Sequence, residues 1–494
     1  MSEQLLVGAE SNAPVGAKRI AANTFFLTFS SLFNLGVSLG TTSIIARSIG
    51  PELYGRYTFG LTYVLMFSVL ANFGLESLFI REAARDRKNL ELINDIFHLK
   101  VALAFATVAT ALLSAQLLQY PAETIRVLYI LCAGLFFQIL SESLLSIYRS
   151  VERMQVTAFV SMFFRLISAA IIVVAIYSGI GFYGIVAAFS IGNFLVFLLA
   201  LVKVRRDFNL LRWVVSPTHW LPLVRRGMPF YMSALLTMFY AKINVFILSK
   251  FVEDREMGLY LAALNLVENL YFIPTAFITS VFPAFSRMHG TSIDSLKDAY
   301  SRMTKYLIVA TAAVAAGTIL VSEKIVLLIY GIEFGETVPV LNVLIFLWVL
   351  AFFSNFQSSL LFSMHKERIQ VQIMVAAVCV NAVLNWLFIR EHGYLGAAFA
   401  SVLTEMVVVI LLSGVLWGSG FRYRPDMSIL RLVLVVGGMV AVVKYLIGVN
   451  LIIAVLGGAV SYAGLLVALR VFDRHDLADL KALFARKKVA VSYE

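Results

Sequence analysis

Arg165, Lys242 and Lys100 sit inside long apolar runs, as do Glu268, Glu405, Glu142 and Glu76, and side chains of these types are costly away from water. Such positions are candidates for chemistry. An arginine or lysine in a dry site can grip phosphate through charge-assisted hydrogen bonds. A buried carboxyl, its pKa raised toward working pH, can carry a proton. Arg165 lies twelve residues beyond Arg153, and Glu405 eleven beyond Tyr394; at about 1.5 Å per helical residue both fall near the middle of a membrane-spanning helix. Lys242, eight residues before Lys250, and Glu268, twelve after Glu256, come out about 12 and 18 Å deep, close enough in level for neighbouring antiparallel helices to pair them. Lys100 and Glu142 lie roughly 10 to 14 Å from the opposite side and form a second potential pair, with Glu76 shallower. Arg47, at the mouth of the first apolar run, completes the set of cations. Each of these groups either serves a site or closes an ion pair between helices, and the sequence leaves both readings open.

Uncharged polar residues add to the picture. Ser31, Asn34, Ser38 and Thr41 recur at helical spacing in the first run, and Asn355, Gln357 and Ser358 interrupt the tenth. They line a wet cavity or satisfy hydrogen bonds between helices. Pro274 and Pro283 bend or loosen the eighth run, as a static kink or a moving one. There is no G-x-S-x-G, no H-E-x-x-H and no G-x-x-x-x-G-K-[ST], so nothing in the chain suggests a hydrolase nucleophile, a zinc protease site or an ATP-driven pump. The six histidines include no i,i+4 pair, and Cys132 and Cys379 both fall in apolar segments, where they read as core packing residues. No metal and no cofactor is expected beyond a coupling ion, H+ or Na+.

The elements that position these residues are membrane helices. Apolar residues make up 60% of the 494 and charged residues 14%, with mean hydropathy +0.88, against about a quarter charged in a soluble domain. Fourteen apolar runs, from 21–46 to 450–471, match the roughly twenty residues that cross a hydrocarbon layer about 30 Å thick. The first is too long for a signal-peptide core and is expected to stay as the first membrane helix. A net charge of +11 would suggest a nucleic-acid surface on a soluble protein, but here the placement of charge decides. With the N-terminus inside, 29 of the 40 Lys and Arg residues fall in inner segments and eight outside, which predicts cytoplasmic termini in a cell membrane and no nucleic-acid partner. Ile293, Leu296, Tyr300 and Met303, like Leu477, Leu480 and Phe484 beside Lys481, recur at helical spacing and suit interfacial helices on anionic membrane lipid.

An internal repeat organises the runs. Arg47, Gly55 and Tyr57 have the spacing of Lys250, Gly258 and Tyr260; Glu152 to Val156 (ERMQV) matches Glu367 to Val371 (ERIQV); and Gly181-Phe182-Tyr183-Gly184 matches Gly393-Tyr394-Leu395-Gly396. The offsets are 203, 215 and 212. Recurring hairpin turns explain each match singly; their order at near-constant offset argues for two six-helix lobes in parallel orientation, an arrangement found in secondary transporters. The predicted architecture is all-α and polytopic: residues 1–222 as the first lobe and its inner linker, 223–424 as the second lobe, and 425–494 as two further helices with an amphipathic tail. The link from Lys203 to Arg226, with Pro217 and Pro222, is then the hinge.

Several runs resemble one family. They are Ile45 to Tyr57 (IARSIGPELYGRY), Asn72-Phe73-Gly74-Leu75, Ile80 to Arg85 (IREAAR), Phe282 to Arg287 (FPAFSR), and Tyr330-Gly331 with Phe334. Together they are similar to the Wzx-like polysaccharide flippases of the multidrug/oligosaccharidyl-lipid/polysaccharide superfamily, over nearly the whole chain. The resemblance implies two six-helix lobes around a central cavity and a polyprenyl-linked oligosaccharide cargo moved from the inner to the outer leaflet, in company with membrane lipids and other glycan-assembly membrane proteins. On that footing Arg165, Lys242, Arg47 and Lys100 would bind the pyrophosphate, Glu268, Glu405, Glu142 and Glu76 would couple or pair, and Asn34, Ser38, Asn355 and Gln357 would line the cavity. A drug/cation antiporter of the same superfamily would share the fold and the carboxylates; a membrane glycan polymerase or ligase would leave the repeat without a role.

Overall fold

The computed structural model of the chain describes residues 17–75, 90–150, 153–208, 220–423 and 427–472. Among these, thirteen α-helices carry the fold: α1 (Ala17–Asn72), α2 (Leu90–Leu117), α3 (Ala122–Ser150), α4 (Met154–Tyr177), α5 (Phe182–Phe208), α6 (Trp220–Leu248), α7 (Asp254–Asn269), α8 (Phe272–Thr291), α9 (Ile293–Ile329), α10 (Thr337–Ser363), α11 (Glu367–Gly418), α12 (Met427–Leu446) and α13 (Leu451–Ala468). Glu76, Glu152, residues 80–85, Pro217 and the amphipathic tail beyond Phe472 lie outside the described residues.

α1 and α11 are each two helices joined at a glycine. Gly50 adopts φ 71°, a left-handed conformation that suits glycine, and Pro51 after it has no N–H to continue the ladder; Gly393 breaks α11 at φ 55°. Eleven helical stretches are long and apolar enough to span a membrane, α7 and α8 running together as one of them. At about 1.5 Å per residue the broken stretches in α1 and α11 are each long enough for two crossings. α6 contributes a shorter apolar stretch, Ala234–Leu248, and together the described helices are those of a multi-pass membrane protein.

The chain groups into two compact units. The first runs to Leu261 and takes in Ile329–Phe334 from further along the chain. Leu75, Leu99, Leu144, Tyr148, Val204 and Leu223 build one of its cores, joining α2, α3, α5 and α6. The second comprises Ala262–Leu328 and the chain from Gly335 onward. Here Val309, Val435, Met439, Val443 and Leu466 pack α9 against α12 and α13, and the Tyr462 hydroxyl donates to the Val309 carbonyl at 2.6 Å. A second aromatic core stacks Tyr300 on Phe356 at 5.6 Å and sets Phe285 edge-on to the same ring.

The two cysteines part company. Cys132 is buried, but Cys379 is exposed, which corrects the reading of both as core residues. In a membrane protein the lipid-facing side of a helix is as apolar as its packed side, so hydropathy does not tell one from the other. A membrane-permeant maleimide is accordingly expected to label the native protein once, at Cys379, with Cys132 reacting only after denaturation; mass spectrometry of the labelled peptides reads the outcome.

Candidate functional site

In the first unit the polar face of α1 meets α4. The Ser30 and Ser161 hydroxyls lie 2.9 Å apart, and the Asn34 amide donates to Ser161 at 3.3 Å and to Ser30 at 3.4 Å. The Asn34 Oδ1 is buried and accepts no hydrogen bond among the described residues. Ser38, one turn on, is half-buried. Arg165 stands one turn beyond Ser161 on the same face of α4, which places it next to this hydroxyl and amide seam. Its side chain is exposed, and among the described residues no carboxylate pairs with it. Such a seam offers a guanidinium fork for a phosphate and hydroxyl and amide groups for a sugar.

The other predicted cations take different places. Lys100 is buried and donates to Asn72 Oδ1 at 3.3 Å, and Glu142 accepts from Gln138 Nε2 at 2.9 Å. Arg47 donates to the Ile329 carbonyl at 3.4 Å and packs its stem near Gly331, which helps seat the returning segment Ile329–Phe334. Tyr54 completes that seat, meeting Tyr330 at 5.8 Å and Phe334 at 5.6 Å edge-on. Lys242 in α6 and Glu268 in α7 are both half-buried and belong to different compact units.

Sequence reasoning passed over a charge cluster at one end of this unit. Arg56 is mostly buried and joins three acids from three stretches of helix: Glu52 at 3.6 Å, Asp254 at 2.7 Å, and Glu123. Directly beside it Gly55 and Gly258, the two glycines matched by the internal repeat, lie against each other. A Cβ on Gly55 would run into the Asp254 carbonyl, and one on Gly258 into that of Pro51. Nearby, Lys250 Nζ sits 3.3 Å from the Tyr120 ring centroid and donates to the Leu118 carbonyl at 2.6 Å, and the Tyr120 hydroxyl meets Ser249 at 2.8 Å. Burial lowers the Lys250 pKa and raises that of Tyr120.

In the second unit Glu405 is buried and accepts from the Ser354 hydroxyl across the α10–α11 interface. Its neighbour Thr404 accepts from Asn381 Nδ2 at 3.0 Å, and Asn385, four residues along, donates to Asn381 Oδ1 at 2.9 Å. Sequence reasoning overlooked these asparagines, although their i,i+4 spacing within an apolar run was the available signal. Gln357 is buried and donates to Ser413 at 2.8 Å, so it ties α10 to α11 instead of lining open space. Asn355 is exposed and bonds the Ala351 carbonyl of its own helix at 2.6 Å.

Set beside known proteins, the fold and these sites find relatives. The chain is 25% identical over 342 residues to the probable flippase AglR of Haloferax volcanii, covering 65% of this chain and 69% of the relative. It is 23% identical over 339 residues to the succinoglycan biosynthesis transport protein ExoT of Rhizobium meliloti, covering 67% and 66%. The lipid II flippase MurJ in an inward closed conformation superposes with a TM-score of 0.71 at 15% identity, over 91% of this chain and 99% of that one, which establishes a shared fold. Residues 20–289 match the model of the family described as polysaccharide biosynthesis protein, and this chain belongs to that family.

Proposed function

We propose that the chain is a flippase that carries a polyprenyl-(pyro)phosphate-linked oligosaccharide from the inner to the outer leaflet, by alternating access between two six-helix lobes, for cell-surface polysaccharide or glycan assembly. The observation that carries this reading is Arg165: a mid-helix guanidinium with no carboxylate partner among the described residues, next to a seam of hydroxyl and amide groups. An uncompensated cation there is costly unless an anion visits it. Phosphate for the guanidinium and sugar hydroxyls for Asn34 and Ser161 match the cargo chemically, and family membership supports it. Both termini are cytoplasmic in this reading, the chain acts as a transporter and not an enzyme, and neighbouring glycan-assembly proteins deliver and collect the cargo.

With no nucleotide-binding motif in the chain, the work comes from a gradient of H+ or Na+, and Glu405, which like Asp95 is a buried carboxylate, is the proposed carrier of the coupling ion. Reconstitution in proteoliposomes with a fluorescent polyprenyl-pyrophosphate oligosaccharide tests both parts. The lipid is expected to move between leaflets, faster under an imposed gradient. Glu405→Gln is expected to keep the slow movement and lose the gradient response, at least about tenfold if the carboxyl carries the ion. Absence of lipid movement under any gradient, together with efflux of a small organic cation, would replace this reading with a drug antiporter.

A further inference from the structure

At the end of the second unit where α10 gives way to α11, three cations from three chain segments surround one turn. α11 closes at Gly418, Gly420 takes φ 87°, and Phe421 folds back so that its N–H donates to the Leu416 carbonyl at 3.0 Å. The buried Phe421 ring meets Tyr300 of α9 edge-on at 5.8 Å, which pins the turn onto that helix. Lys297, one turn earlier on α9, thereby comes against Gly420, where an added Cβ would lie 3.3 Å from its Cε. From the other side Lys366 Nζ donates to Ser419 Oγ at 2.8 Å. Arg422 holds its guanidinium 5.3 Å from the Trp417 ring centroid.

Positive charge is under-compensated here. Lys297 has an exposed partner, Asp294, at 3.0 Å, but neither Lys366 nor Arg422 pairs with a carboxylate among the described residues. Lys366 also occupies the N-cap position of α11 with no side-chain cap hydrogen bond, and the helix dipole there is met by Glu367 of the first turn, which lies 3.9 Å from His365 and not against Lys366 or Arg422. Apolar surface leads to the turn. Phe399, Met406, Ile410 and Trp417 are all exposed and recur at spacings of seven, four and seven, which lays them along one face of α11. An aromatic ring at the end of such a stripe, under a guanidinium, is the arrangement that anchors a helix at the headgroup level of a bilayer.

We propose that this turn is a binding site for an anionic phospholipid, with the phosphate held by Lys297, Lys366 and Arg422 and an acyl chain lying along the Phe399–Trp417 stripe. The site is separate from the transport seam and does not depend on which cargo that seam carries.

The full-length protein in zwitterionic nanodiscs supplies the test, with brominated phosphatidylglycerol and brominated phosphatidylcholine as quenchers and Trp417→Phe defining the Trp417 share of the fluorescence. The anionic phosphatidylglycerol is expected to quench Trp417 at about tenfold lower mole fraction than phosphatidylcholine, and Arg422→Gln with Lys366→Gln is expected to abolish that preference while helicity is retained. On the unmodified protein, 0.5 M salt is expected to shrink the preference severalfold, which keeps the idea testable should the double variant not fold. Equal quenching by the two lipids, or an unchanged preference in the double variant, would overturn the proposal. So would displacement by soluble glycerol phosphate, which would make it a free-phosphate site, or displacement by polyprenyl phosphate at equal mole fraction, which would assign the turn to the cargo.

Discussion

Replacing Arg165 with alanine is expected to slow movement of a polyprenyl-pyrophosphate oligosaccharide by about 100-fold or more while leaving the protein folded in the membrane. A guanidinium that grips phosphate in fork geometry makes two charge-assisted hydrogen bonds of about 1.5–3 kcal/mol each, and each 1.4 kcal/mol is tenfold in binding. The fold should not suffer. Among the described residues no carboxylate depends on Arg165, so its removal strands no opposite charge inside the protein. Arg165→Lys keeps the charge and loses the planar fork, and an intermediate loss of about tenfold is expected. Initial flipping rates in proteoliposomes, read beside Tm in detergent, separate a binding defect from a folding defect. Wild-type rates in Arg165→Ala would end the phosphate-binding role.

The largest expected effect on stability comes from Gly55 and Gly258. At both positions a single added methyl meets main chain, the Asp254 carbonyl in one case and the Pro51 carbonyl in the other, and main chain cannot rotate aside as a side chain can. Overpacking of a close contact costs typically about 1–3 kcal/mol, and these contacts should sit at the upper end. Separating the second half of α1 from α7 also pulls Arg56 away from Asp254, leaving its charge less compensated in a mostly buried place. Gly55→Ala and Gly258→Ala are each expected to lower Tm by several degrees, and the double variant by less than their sum, because the first methyl has already opened the gap that the second would fill. Strict additivity of the two would indicate that the glycines do not share one contact. An exposed glycine with open space around it, such as Gly414, is the control and should tolerate alanine.

Much of the fold is legible in the chain because crossing a bilayer is a severe constraint. A helix must be apolar for about twenty residues, so the runs mark themselves, and Gly50-Pro51 announces a break that the backbone then makes. The match of Gly55 with Gly258 was readable from spacing alone; that the two press against each other was not. Pairing across the fold was the harder part. Arg56 reads as one outer cation among eight, and its partners Glu123 and Asp254 stand 67 and 198 residues away. Lys100 and Glu142 agree in depth, but depth does not fix the angle at which a side chain leaves its helix, and their bonds to Asn72 and Gln138 could not be read from it. The same blindness to helix face misplaced Cys379, and of the two roles open to Gln357 only the bond to a neighbouring helix is seen. In water an amphipathic helix shows its buried side through its polar one; between lipid and protein both sides are greasy, and that signal fades.

The segment Ile329–Phe334 carries a consequence for the order in which the protein is made. It belongs to the first unit, where Tyr330 and Phe334 close over Tyr54, yet the ribosome reaches it only after the sixty-seven residues of Ala262–Leu328, which belong to the second. At 5–20 residues per second that is a delay of roughly 3 to 13 seconds. Through that interval the first unit waits in the membrane without its aromatic lock, Tyr54 unburied and Arg47 lacking the carbonyl it will cap. Neither unit can therefore finish as an independent product of translation, and a nascent chain released before Phe334 would present the insertion machinery with an incomplete first unit.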